Sequence, residues 1–155
     1  MDALLKYYEK NSIYVNLYKD KYEALKKIKK YLPDSDDVKI YISNFYELNV
    51  EETVYIFGND RMLEVSFEIK DSSLTTSCRV MKFSDLKSYQ FVEDTGYRAE
   101  TKLLLEFSDR RFLLSNYIEN YEELENEENE EAEEKKKAIN SKILEGIFEH
   151  LLKRA

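Results

Sequence analysis

One cysteine, one histidine, one proline, three glycines and no tryptophan are spread through 155 residues, and each scarcity closes off a class of protein. A single cysteine allows no internal disulfide framework, and one cysteine with one histidine gives no zinc-ligand spacing. Three glycines leave no glycine-rich loop to cradle a phosphate, and few flexible joints. No apolar run approaches the ~20 residues of a membrane-spanning helix. The opening MDALLKYYEKN carries Asp2, Lys6 and Glu9 where a secretory signal would be apolar, so a cytoplasmic protein is expected. Nucleophilic catalysis needs a base held beside its nucleophile. No Ser, Cys and His fall into such an arrangement, so no catalytic, cofactor-binding or metal-binding residue is assigned and no enzyme is expected. Cys78 shares a strand face with Leu74 and Val80 and reads as a small core hydrophobe. His150 reads as a half-buried packing residue at the rim of a helix face.

What is abundant is charge, and it is uneven. The net charge is −8, yet residues 119 to 134 hold ten glutamates and no lysine or arginine, leaving the rest of the chain at +2. Residues 1 to 32 carry eight lysines against Asp2, Glu9, Asp20 and Glu23. The glutamate run lacks the Asp/Asn-Gly spacing of a calcium loop and reads as solvated. Glu131–Lys135 and Glu133–Lys137 stand four apart in the stabilising order, so its second half is expected to continue into a helix, with 119–128 the mobile part. The excess of Lys, Glu, Tyr, Asn and Ile is the composition of an AT-rich bacterial genome.

Hydrophobic spacing divides the chain into helix, strands and helix. Through residue 32 the period is helical, with Tyr14, Tyr18, Tyr22, Leu25, Ile28 and Leu32 on one face and lysines 19, 21, 26, 27 and 30 on the others. Pro33 ends it. VKIYISNFYELN, residues 38–49, is ambiguous between strand and helix. From Thr53 the period becomes two: in RMLEVSFEIK, Leu63, Val65, Phe67 and Ile69 face one way and Glu64, Ser66, Glu68 and Lys70 the other. Small turns (GND, DSS, DTG, SDR) join the strands, which implies an antiparallel meander over 53–117, since parallel crossovers need a dozen or more residues. From Ala138 the helical period returns: Ile139, Ile143, Gly146, Ile147, His150 and Leu151 share a face, with Gly146 allowing close approach. The expected fold is one α+β domain over 1–155. Its parts are a helical extension (1–32), a curled antiparallel sheet or partly open barrel (53–117), an acidic segment (119–137) and a closing amphipathic helix (138–153).

A small antiparallel sheet cannot cover both its faces, so it must curl or be plugged. RVMKFSDLKSYQF supplies the corner: strand chemistry stops at Ser84-Asp85, Leu86 points back to the core and Ser88 restarts the strand, with Ser84 or Asp85 able to cap local amides. A strand ending in VMKFSDLKSYQF, a turn, the hairpin LLLEFSDRRFLLS and a closing helix resemble bacterial pleckstrin-homology-like (PH-like) domains over roughly 53–153. In the eukaryotic family the resemblance would imply phosphoinositide binding through a basic cluster at the first hairpin. That hairpin here reads FGNDRM, with Arg61 beside Asp60, which turns the expectation to a protein-binding scaffold. The partner is then a protein, a second copy included, and Lys19, Lys26, Lys27 and Lys30 are the candidate contacts. The alternative is nucleic acid held by the Lys/Tyr-rich helix; it would need exposed rings, and arginine is absent before Arg61.

Overall fold

The computed structural model describes residues 5–6, 16–43, 52–71, 73–95, 100–116 and 127–155. The chain forms two compact units, residues 1–81 and 82–155. The α+β expectation holds: among the described residues there are seven strands, divided between two antiparallel sheets and not closed into a barrel.

In the first unit, helix α1 (Asn16–Ile28) and a single 3₁₀ turn (Lys29–Tyr31) precede β1 (Lys39–Ile42), β2 (Glu52–Phe57), β3 (Arg61–Lys70) and β4 (Ser73–Lys82), in the sheet order β1-β2-β3-β4. The ambiguous stretch thus begins as a strand: Ile40 and Ile42 stand opposite Ile56 and Val54. The rest of that stretch, 44–49, lies outside the described residues. Cross-strand pairing lines up Val54 with Val65 and Ile56 with Leu63, and onto this row α1 lowers Leu25, Ile28 and Leu32. The periodic face is therefore the buried one; the side chains of Tyr14 and Tyr18 lie outside the described residues. Fully burying each such aliphatic side chain contributes about 1.5–3 kcal/mol. Ile69 extends the Leu63/Val65/Phe67 row beyond the helix and is exposed.

At the β2–β3 turn, Gly58 leaves room for two neighbouring side chains. A Cβ there would lie 2.8 Å from Asp36 Oδ2 and 2.9 Å from Leu32 Cδ2. The loop after Pro33 laps over this turn, the Asn59 amide donating to Asp36 Oδ2 (3.1 Å) and the Asp37 amide to Asn59 Oδ1 (3.3 Å).

The FSDLKS break divides the sheets. Phe83–Asp85 form a 3₁₀ turn anchored by buried Phe83, and β5 (Leu86–Glu93) follows at once. Neither Ser84 nor Asp85 caps it: Lys82 is the N-cap, with no side-chain hydrogen bond. Leu86 is only half-buried. Pairing of β5 with β6 (Thr101–Phe107) slips between Leu86 and Ser88, so one extra residue on β5 bends the strand and regular register starts at Ser88. β7 (Arg111–Ser115) completes the sheet β5-β6-β7.

Helix α2 (Glu127–Arg154) packs on that sheet. The second half of the glutamate run is helical, as the four-apart pairs imply, and the helix begins at Glu127, so residues 127–128, expected in the mobile part, belong to it; 119–126 lie outside the described residues. The buried stripe is turned from the expected one. Leu144, Ile147 and Leu151 are fully buried on Leu103, Leu105, Phe112 and Leu114, while Ile139 and Leu152 are exposed. Phe148 stacks on Phe91 (5.4 Å) and meets Tyr89 edge-on (5.9 Å). Aromatic anchoring at 148 with leucines at 144 and 151 outweighs the isoleucine spacing. Gly146, expected at a close approach, instead faces open space: a Cβ there would meet nothing within 4 Å. No helix of the described residues is long and apolar enough to cross a membrane.

Candidate functional site

The polar residues inside the molecule hold elements together. Lys21, expected on the solvent side of α1, is instead 2% exposed, and its Nζ lies 2.9 Å from Glu52 Oε1. Glu52 stands opposite Phe67 in the β2–β3 ladder, and the same ammonium sits 5.3 Å from the Phe67 ring centre. The helix thus sends one charge into its own apolar face, where a carboxylate and a ring quadrupole receive it. In the second unit Ser141 of α2 meets Thr101 Oγ1 (3.1 Å) and accepts from Asn116 Nδ2 (2.7 Å), while Asn116 Oδ1 accepts from the Thr101 amide (2.8 Å). This closes the end of the β6–β7 pair against the helix. Lys137, near the middle of α2, is buried. His150 is buried as well, where a half-buried rim position was expected, because it lies between Ile147 and Leu151 on the docked stripe.

The surface differs. β4 is an outer strand of its sheet, ten residues long, and its side chains are mostly exposed. Cys78, expected in the core, is an exposed free thiol. Its alternation with Leu74 and Val80 is real, but only Leu74 packs on the core under α1, half-buried, while Cys78 and Val80 are left exposed. Partial desolvation still pushes the Cys78 thiol's pKa up. Between α1 and β4 runs an open groove of about 660 Å³. Asp20, Glu23, Ala24, Lys27, Ile28 and Tyr31 form its wall, one helical stripe; Ser73, Leu74, Thr76 and Cys78 form its floor. Tyr31, Ile69 and Val80 are the large hydrophobics exposed in the described part of the first unit, at 58%, 38% and 47%. Tyr31 lies on the wall, Val80 continues the floor and Ile69 extends the covered row.

Of the candidate contacts, Lys27 lines this groove, whereas Lys19 and Lys26 on α1 and Lys30 in the following 3₁₀ turn are exposed to solvent. Lys26 reaches Glu23 (3.1 Å) and covers the half-buried Tyr22 ring (4.5 Å). Arg61 is bound to its neighbour Asp60 by two hydrogen bonds (2.7 and 2.9 Å). Those bonds, and then the carboxylate's charge, hold its pKa above the ordinary value. Among the described residues no group of three or more His, Cys, Asp or Glu is placed to hold a metal ion. Sequence reasoning missed the groove because it depends on where α1 lies across the sheet, for which periodicity carries no signal. No family model matches the chain, nor does any curated protein or solved structure.

Proposed function

We propose that the chain is a non-catalytic interaction module with a PH-like fold, and that its partner is a protein. The observation that carries this reading is the ledge made by α1 and β4: apolar side chains left bare beside an open groove, on an outer strand. Exposed apolar surface next to an uncovered strand is the physical signature of a protein-binding site. The PH-like part rests on element order: a strand, the FSD corner, a second strand, the β6–β7 hairpin and a long closing helix follow in the sequence that carries the resemblance. A protein partner rather than a phosphoinositide is favoured because Arg61 at the first hairpin is engaged by Asp60. A cytoplasmic setting belongs to the same reading, supported by the exposed free thiol of Cys78.

Immobilised protein should retain a protein from extract of its native cells, and the Tyr31→Glu/Val80→Glu double variant, with its fold checked by circular dichroism, should not. Equal retention by both proteins contradicts the ledge. Capture of nucleic acid instead, weakening steeply with salt, would favour the exposed lysines of α1 as a phosphate-binding surface.

A further inference from the structure

We infer that the occupant of the β4 edge is a second copy of this chain, joined strand to strand. This goes beyond the choice of fold family and does not depend on it. Outer strands normally carry a defence against pairing: proline, glycine bulges, inward charges or short length. β4 is lightly defended, with Arg79 and Lys82 as its only charges. It is ten residues long, holds no proline or glycine, and between Leu74 and Met81 its one charge is Arg79. Its own sequence is a suitable partner. Antiparallel pairing about Ser77 sets Leu74 opposite Val80 of the second copy, Thr76 opposite Cys78 and Arg79 opposite Thr75, with no like charges face to face. A two-fold axis through that point continues each sheet into the other and keeps both α1 helices on one face, running antiparallel.

Charge complementarity singles out this arrangement. The groove wall of α1 is acidic at its start (Asp20, Glu23) and basic towards its end (Lys27). Antiparallel helices set the acidic end of one wall across from the basic end of the other, whereas a parallel arrangement would oppose like with like. The two floors, half-buried Leu74 and Thr76 with exposed Cys78 and Val80 from each copy, become one continuous strip between the helices.

Sedimentation of the purified chain over a range of concentrations tests this. The wild type should dimerise, more weakly as salt rises. Ser77→Lys and Ser77→Glu, both at an exposed position, should each be monomeric, because like charges then meet at the axis. Mixing the two variants should restore a dimer. Independently, Ser77→Cys/Cys78→Ser should cross-link on mild oxidation, since directly opposed strand residues lie roughly 4.5–5.5 Å apart at Cα, within disulfide reach. A wild type that stays monomeric at every concentration overturns the proposal and leaves β4 to a foreign strand. A dimer that persists in both charged variants, or a Ser77→Cys/Cys78→Ser protein that does not cross-link, overturns it too.

Discussion

Lys21 shows how a single side chain can fix the position of a helix. Its ammonium is buried against Glu52 and Phe67, so removing one partner leaves a buried charge short of its counter-ion. Lys21→Ala or Glu52→Ala should cost about 3–5 kcal/mol in urea unfolding, while Lys21→Met/Glu52→Leu together should recover most of that loss. A double variant as unstable as the worse single one would mean the pair holds α1 by more than mutual compensation. Gly58 is a second such point. Alanine there would push against Asp36 and Leu32, and Gly58→Ala should lower stability by about 1–3 kcal/mol. Cys78 offers a chemical readout: with its thiol pKa raised by desolvation, alkylation should rise with pH to a midpoint above that of a free cysteine. A midpoint at or below the free value would show that the thiol is not desolvated.

At the level of elements, the two helices dock by different means. α1 combines leucine and isoleucine contacts with one buried ion pair; α2 combines the 144/147/151 stripe with the Ser141 hydrogen bonds. Ile147→Asp should abolish the cooperative melt, whereas Ile139→Asp, at an exposed position, should leave stability within about 0.5 kcal/mol. Ser141→Ala should cost about 1–3 kcal/mol by leaving Asn116 and Thr101 short of a partner. The same contrast explains what is legible in the sequence. The alternation in β3 and the Leu25/Ile28/Leu32 spacing are local patterns imposed by burial of one face, so both can be read directly. The α2 stripe reads one step round from its true position, since Ile139 and Ile143 compete with Leu144 and Leu151 and only docking on β5–β7 decides between them. Lys21–Glu52 and Thr101–Asn116–Ser141 join residues far apart in the chain, and no spacing records them. β4 alternates like a buried strand, yet Leu74 is only half-buried and Cys78 and Val80 are exposed, because α1 packs chiefly on β2 and β3.

Across the molecule charge is uneven, and exposed apolar side chains occur in both units: Tyr31, Ile69 and Val80 in the first, Leu104, Leu113, Ile139 and Leu152 in the second. The glutamates concentrate at 119–134, while the first unit carries the lysines of α1 and the ledge. In the first unit this ledge joins mixed charge to exposed apolar side chains, so an acidic chain that stays dispersed can still present an adhesive strip there. The central claim is that this strip is covered when the protein is at work. Cys78 lies on its floor, so its alkylation rate reports coverage directly. The decisive measurement compares that rate, by mass spectrometry, in intact native cells and in dilute purified protein, each normalised to an added reference thiol peptide. The account predicts slower labelling in the cell, with the difference lost in the Tyr31→Glu/Val80→Glu variant. Equal rates in the two settings would contradict it.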